Sequence, residues 1–313
     1  MLTFIGRRLV SGVGALFVVA CTTFLLLFLS SGNIARNLMG DQASEEAVAA
    51  KARQLGLDRP LLERLVTWLT DAVQLEFGRS WFTNQPVFSA IGARLPLTLT
   101  MVAVAILLIA AVATLLGVTA AVKRGVADRI VQVLAVLAAA IPGYIIGIVL
   151  VLVFAIKLGW FPAISRITPR SGLGDWVVSL TLPVIGLVLN GIAGAAQQIR
   201  SAFIKQMELD YVRTLRSRGI PEREILFRHV LRAAAPAGLT VLSLQFIGLL
   251  GGVVIIESIF ALPGLGRLAV DATTQNDLPL VMGVVIYTVA IVVVVNLLVD
   301  IANGWLNPKV RVS

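Results

Sequence analysis

The segment 200–232 concentrates the charged residues that could bind a partner. It holds eight lysines or arginines against four aspartates or glutamates. Four bulky side chains in its first half recur every four residues and therefore share one face of a helix. They are Phe203, Met207, Tyr211 and Leu215. Because the basic residues lie elsewhere on this helix, we expect an amphipathic helix that rests on an apolar surface.

The second half of this segment predicts another short helix. Gly219 ends the first helix, and Pro221 suits the first turn of the next one. Acidic residues follow at the positive end of the helix dipole, and basic residues stand at the negative end. The helix, from Gly219 to about Leu231, could dock on a partner protein. Alternatively, it could lie on the membrane with its arginines against anionic lipid.

No motif for enzymatic chemistry accompanies these residues. No lysine directly follows a glycine, which excludes a P-loop, and the single histidine, His229, excludes a two-histidine zinc helix. No serine stands in a Gly-x-Ser-x-Gly elbow. The segment 264–269 fits the loose dinucleotide pattern but follows Pro263 rather than a strand. We expect a non-catalytic chain that uses no cofactor and no metal.

The elements that position these residues are membrane helices. The chain is 58% hydrophobic and only 14% charged, with a mean hydropathy of +0.93, which excludes an ordinary soluble protein. Between charged residues lie six uncharged runs of at least 22 residues, and about 20 apolar residues suffice to cross a bilayer as a helix. We predict an all-α protein with six transmembrane helices. The runs are 9–35, 95–122, 130–156, 176–199, 233–256 and 278–299.

The distribution of charge predicts the topology. With both termini in the cytoplasm, the cytoplasmic segments sum to +10 and the outer segments to +1, as the positive-inside rule requires. Glu257 and Asp300, at the edges of the membrane runs, bring the total to the net charge of +9. The basic excess is therefore explained by the membrane topology, and we expect no nucleic acid partner. The single cysteine, Cys21, allows no disulfide within the chain.

The long segment after the first helix predicts a small helical insertion on the outer surface. Ser44 can cap a helix over 45–55, and a second helix with an apolar stripe begins near Pro60. The insertion could bind a partner, or it could simply close the outer face. We therefore divide the chain into a first transmembrane helix over 1–30, an extracytoplasmic scoop-like insertion over 31–96, and a core over 97–313.

Polar residues inside the membrane are expensive and are candidates for a transport pathway. Each could instead make a hydrogen bond between helices. Glu257 precedes a turn rich in proline and glycine, where its carboxylate could cap the turn or line a gate. The other candidates are Asn190, Gln197, Gln245 and Asn296.

Several motifs together resemble a known family. The stretches 210–219 and 225–232 are similar to the loop signature of ABC-importer permeases, in the branch that transports dipeptides, oligopeptides and nickel. Where the general signature begins Glu-Ala-Ala, this chain has Arg213, Thr214 and Leu215, and it keeps the glycine. Motifs of the same branch stand at 45–46, 54–61, 77–80, 94–99, 141–144, 257–266 and 296–300.

This resemblance implies a type I ABC importer permease, similar to the first of the two membrane subunits of dipeptide transporters. The helix from Gly219 to about Leu231 would be the coupling helix, seated in a cleft of a separate ATPase. Its implied contact residues are Gly219, Pro221, Glu222, Arg223, Glu224, Phe227, Arg228 and His229. The motif at 141–144 adds Pro142 and Tyr144 to the pathway candidates.

The implied partners are a second homologous permease subunit, two ATPase subunits or domains, an extracytoplasmic binding protein, membrane lipid and a peptide substrate. Relatives with the same motifs use nickel, glutathione or haem, so these substrates stay open. The implied location is the bacterial cell membrane. A self-sufficient secondary transporter or channel is the remote alternative. A coupled carrier would normally have paired ionisable residues or broken helices in the middle of the membrane, whereas the six runs here are free of charge.

Overall fold

A computed structural model describes residues 2–30, 34–123, 125–168 and 171–306, and in these ranges the chain is helical, as predicted. An isolated antiparallel bridge joins Arg79 and Pro86. Two π-helical segments, Val151–Lys157 and Ile225–Val230, adjoin α-helices. The α-helices are α1 Leu2–Ser30, α2 Ile34–Met39, α3 Glu45–Gln54, α4 Leu61–Val73, α5 Val87–Lys123, α6 Val126–Ala140, α7 Gly143–Leu150, α8 Leu173–Met207, α9 Asp210–Ser217, α10 Glu222–Glu224, α11 Leu231–Ile259, α12 Leu265–Thr274 and α13 Leu278–Leu306.

Within the described ranges, five helical stretches are long and apolar enough to cross a membrane. They are Ile5–Phe28, Val87–Lys123, Leu173–Met207, Glu222–Ile259 and Leu278–Leu306. A sixth span is formed only if Asp128–Ala138 and Gly143–Lys157, which bend by 90° at a short break, count as one. Five of the six predicted membrane runs therefore have their helices.

The third run, 130–156, is not the single helix that we predicted. Ile141 is extended, with ψ of 115°, and Pro142 follows it. Proline has no N–H to donate and disfavours helical geometry in the residue before it, so α6 stops and α7 starts afresh. Pro183 and Pro236, in contrast, lie inside α8 and α11.

The chain forms two compact units. The first comprises Met1–Gly6, Leu97–Gly266 and Val294–Ser313, with α8 packed against α6, α7 and α11. In this unit α5 and α8 approach so closely that a Cβ on Gly117 would lie 2.7 Å from the carbonyl oxygen of Ala196. A glycine is therefore needed at this crossing.

The second unit comprises Arg7–Pro96 and Arg267–Val293. Its helix α3 is the helix predicted over 45–55, with the Ser44 hydroxyl accepting from the Ala47 N–H at 3.3 Å. In α4 only part of the predicted apolar stripe packs against the protein. Leu61 and Leu65 pack on a cluster around Phe24, whereas other members of the stripe are exposed. The exposed members include Leu62, at 71%, and Val73, at 86%.

A buried carboxylate ties the stretch before α5 to the start of α13 within the second unit. Asp277 is 1% exposed and accepts from the Ser80 hydroxyl and from the Trp81 N–H. It also accepts from the Leu280 N–H at 3.4 Å, in the first turn of α13. A carboxylate at this position is favoured by the helix dipole. The predicted boundary between the first helix and the insertion falls at residues 31–33, which lie outside the described ranges.

Candidate functional site

The charged loop between α8 and α11 contains one free-standing helix, but it is not the one that we predicted. The separate helix is α9. After the turn at Gly219 the chain becomes helical at Glu222 and continues without interruption to Ile259. The expected separate helix from Gly219 to about Leu231 is therefore wrong. Pro221 and the acidic residues start a helix as predicted, but no glycine or proline ends it near Leu231.

The predicted amphipathic face is present, although two helices share it. Phe203 and Met207 lie at the end of α8 and belong to a buried cluster with Val212 of α9. Tyr211 and Leu215 pack against the same cluster. The cluster also contains Ala121, Ile225, Leu226, Val230 and Ala234. The apolar side of α9 is thus fixed on the protein, while its charged side remains exposed.

Gly219 forms the turn that joins α9 to the next helix. Its φ of +75° lies in the left-handed region that favours glycine, as the sequence predicted. The Gly219 N–H donates to the Arg216 carbonyl at 3.0 Å, and the Ile220 N–H donates to the Leu215 carbonyl at 3.3 Å. These bonds satisfy the last carbonyls of α9.

An ion pair crosses this turn. The Arg216 guanidinium donates two hydrogen bonds to the Glu222 carboxylate, at 2.6 and 3.0 Å. The hydrogen bond lowers the pKa of Glu222 and raises the pKa of Arg216. Because both side chains are about half exposed, solvent screening keeps their contribution to stability small. The pair connects the last turn of α9 to the first turn of the next helix.

The residues assigned to coupling lie along the first turns after Gly219. Pro221, Glu222, Arg223 and Glu224 are exposed, and Glu224 accepts from Arg228 at 3.1 Å. Phe227 is 59% exposed, and His229 is half-buried. The sequence analysis missed α9 as a separate element. Its signal was the motif at 210–219, where Arg213 and Thr214 are exposed.

Glu257 is fully buried beside the turn between α11 and α12. It accepts from the Thr98 hydroxyl at 2.5 Å, and the Thr98 oxygen accepts from the Leu265 N–H at 2.8 Å. A Cβ on Gly264 would lie 2.0 Å from a Glu257 carboxylate oxygen, and one on Gly266 would lie 3.0 Å away. The glycines therefore admit the carboxylate. This geometry favours the turn-capping alternative, and a role in a gate stays a prediction.

Two of the polar pathway candidates lie at the middle of α8. Asn190 belongs to this helix, and Gln245 of α11 packs beside it. Asn190 is exposed and adjoins the bend, because a Cβ on Gly143 would lie 2.6 Å from its side-chain nitrogen. Gln245 adjoins the next residue of α8, with a Cβ on Gly191 lying 2.5 Å from the side-chain nitrogen of Gln245. The structure thus brings the bend, Asn190 and Gln245 into one neighbourhood.

The remaining candidates are more scattered. Gln197 is exposed two turns further along α8, and Pro142 and Tyr144 are exposed at the bend. Asn296 accepts a hydrogen bond from Ser243 at 2.6 Å, which joins α13 to α11. For Asn296 the predicted alternative of a hydrogen bond between helices is therefore present.

Repeated apolar spans with a charged, helix-containing loop define a polytopic membrane protein. The chain belongs to the family of binding-protein-dependent transport system inner membrane components, whose model matches residues 113–312. The N-terminal model of the same transport system membrane component matches residues 1–103. The chain is therefore a multi-pass inner membrane permease subunit of an ABC transport system, with the type I permease fold. The resemblance found in the sequence is confirmed.

Individual relatives match along the whole chain. A Brucella abortus protein provisionally named a peptide transport system permease is 38% identical over 312 residues, covering 99% of both chains. A Sinorhizobium fredii protein named a probable peptide ABC transporter permease is 34% identical, covering 98% of this chain and 99% of its own. The glutathione transport system permease GsiC of Escherichia coli is 31% identical and covers 99% of both chains.

Proposed function

We propose that this chain is one of two homologous membrane subunits that form the pathway of an ATP-driven importer for dipeptides and oligopeptides. The peptide assignment is supported by the names of relatives that match along the whole chain. An extracytoplasmic binding protein delivers the substrate, and two ATPase subunits or domains drive transport. The chain itself is non-catalytic, and ATP is hydrolysed by its partners.

We propose that both termini and the loop 200–232 face the cytoplasm. The segments between the six runs differ in charge, +10 on one side of the membrane and +1 on the other. This difference supports the topology, because basic loops are retained on the cytoplasmic side. The insertion over 31–96 and the core over 97–313 keep the boundaries inferred from the sequence. The insertion then faces the binding protein, with the exposed stripe of α4 available for contact.

The observation that carries the proposal is the exposed charged surface of α9 and the turn after it. Its apolar side is anchored on the cluster around Phe203, so a force applied to its outer side reaches the ends of α8 and α11. A helix that rests on two membrane spans can transmit the closing of an ATPase dimer to those spans. The docking surface comprises α9 together with Gly219, Pro221, Glu222, Arg223, Glu224, Phe227, Arg228 and His229.

The transport pathway, on this proposal, runs past the middle of α8. The bend with Pro142 and Tyr144 lies there, close to Asn190 and Gln245. A broken helix is tolerated within a membrane where it lines a cavity, which favours this region over a continuous apolar face. Glu257 and Asn296 are less direct candidates, because both make hydrogen bonds within the protein. Gln197 is also less direct, because it lies two turns further along α8.

Glutathione is the second candidate substrate, since the glutathione permease GsiC matches over the same length. Glutathione is itself a tripeptide, so the two substrates differ in side chains and linkage rather than in chemical class.

Reconstitution of the complete transporter in liposomes tests the proposal. We expect uptake of a labelled dipeptide that requires ATP and the binding protein, and that excess unlabelled peptide suppresses. If labelled glutathione is taken up under the same conditions and the labelled dipeptide is not, the second candidate replaces the first. Uptake by the purified chain alone, without ATP or partners, would refute the importer assignment.

A further inference from the structure

A cleft of about 510 Å³ opens beside α9 in the first unit, outside the residues discussed as a pathway. Its polar wall carries Arg228, His229 and Arg232, together with Tyr211 and Gln206. Its apolar wall is formed by Ala233 and Pro236 of α11 and by Leu306 at the end of α13. One wall is thus cationic and the other belongs to the ends of two membrane spans.

The cationic wall is suited to an anion. Arg228 has one carboxylate neighbour, Glu224, at 3.1 Å, and that pair is exposed. Arg232 lies one helical turn further along and is exposed as well. Guanidinium groups present several donors in a planar fork that matches the oxygens of phosphate and carboxylate groups. Two such forks and an imidazole therefore favour a ligand with several acceptor oxygens.

Tyr211 lines the cleft beside these cations, but its hydroxyl does not open into it. The hydroxyl is buried and has no hydrogen-bond partner among the described residues, and burial raises the pKa of Tyr211. Because the hydroxyl oxygen is closed to solvent, Tyr211 contributes its ring to the wall, and the cations and the apolar residues define what the cleft can hold.

The apolar wall identifies the kind of ligand. A free phosphate or an acidic side chain would satisfy the cations but would leave Ala233, Pro236 and Leu306 uncovered. An anionic phospholipid satisfies both walls, since its phosphate and its acyl chains are joined in one molecule. Basic pockets between membrane helices on the cytoplasmic side are suited to such headgroups.

We propose that this cleft binds one anionic phospholipid, with its phosphate between Arg228 and Arg232 and its acyl chains along the ends of α11 and α13. The assignment to the inner leaflet rests on the cytoplasmic orientation proposed above. The lipid would brace α9 against the two spans and would make the docking surface depend on membrane composition.

Lipid retention by the assembled transporter tests this site without relying on transport. The complex is washed in detergent with phosphatidylcholine, and retained phosphatidylglycerol is measured by native mass spectrometry. We expect Arg232→Gln to weaken retention about fivefold, the effect of one cation near an anionic surface. Tyr211→Phe should retain the lipid, because the tyrosine hydroxyl is closed to the cleft. Arg232→Lys should retain the lipid.

Arg213→Gln is the matched control, because Arg213 lies on exposed α9, pairs with Asp210 at 3.5 Å and does not line the cleft. Equal loss in Arg213→Gln and Arg232→Gln, or no loss in either, would overturn the site. Displacement of the lipid by inorganic phosphate alone would show an anion site without lipid specificity. Retention in the permease pair but not with ATPases bound would assign the cleft to a protein carboxylate.

These outcomes are separate from those that test the importer. If peptide uptake fails while Arg232→Gln still loses phosphatidylglycerol selectively, the lipid site stands and the substrate assignment falls. If uptake is as expected and lipid retention is unchanged in every variant, only the lipid site is refuted.

Discussion

Substitution of Gly219 tests whether the turn after α9 couples the permease to its ATPases. The residue has a φ of +75°, and a Cβ built there would meet no atom within 4 Å. Any cost therefore comes from the backbone and not from a clash. A left-handed conformation costs an ordinary residue about 1–2 kcal/mol, and more for a β-branched one. Asparagine tolerates it better than other side chains.

These values predict an order of effects. Gly219→Asn should be nearly neutral, Gly219→Ala should cost about 1 kcal/mol, and Gly219→Val about 2–3 kcal/mol. A strain of about 2 kcal/mol shifts the equilibrium about 30-fold away from the turn with its hydrogen bonds formed and towards a turn in which they are broken. The Arg216–Glu222 pair is too exposed to offset this strain. We therefore expect the valine variant to lose the orientation of α9 while the membrane spans stay inserted.

The measurements are co-purification of the ATPases and substrate-stimulated ATP turnover in liposomes. Both should fall in the order Asn, Ala, Val. Gly174→Val is a matched control, because Gly174 lies within α8, at the first turn, and its Cβ would also meet open space. Normal assembly and turnover in Gly219→Val would refute a coupling role for the turn. Equal loss in the asparagine and valine variants would refute the strain argument.

Three further predictions concern the buried polar contacts and the topology. Thr98→Val should destabilise the chain by about 1–3 kcal/mol, because a buried carboxylate and a backbone N–H each lose a partner; a detergent thermal melt measures this, and a shift no larger than that of exposed Thr100→Val would contradict it. Asp277→Ala leaves its buried donors unpaired and should make the stretch before α5 more sensitive to limited proteolysis, so an unchanged digestion pattern would count against this anchor. A cysteine at Asn84 should react with an impermeant thiol reagent from outside, and one at Arg218 only after permeabilisation; labelling of position 218 in intact cells would overturn the topology.

The membrane spans could be predicted because a helix that crosses a bilayer needs about 20 consecutive apolar residues, and the length of an uncharged run measures this directly. The break at Pro142 could not, because the same residue type is accommodated within a helix at Pro183. What differs is the surroundings. Gly143 gives room for Asn190 of another helix beside the break, and no periodicity in the run 130–156 records that contact.

The loop shows the same division. Gly219 was predictable, since it follows an amphipathic pattern and precedes a proline that starts a helix. The end of the next helix was not predictable, because no residue between Glu222 and Leu231 stops it. The membrane helix begins at Glu222, before the uncharged run 233–256. In α4 the stripe predicted a buried face, but Leu62 and Val73 are exposed, since helical spacing does not show how wide the packed face is.

The break between α6 and α7 makes this segment depend on its surroundings in the membrane. Backbone groups freed by a break within a span require protein or water around them, because lipid offers no hydrogen bonds. Ile141, Pro142 and Tyr144 are exposed in the single chain, so this cover comes from outside it. A copy synthesised in excess of its partner would present an incompletely covered segment to the bilayer.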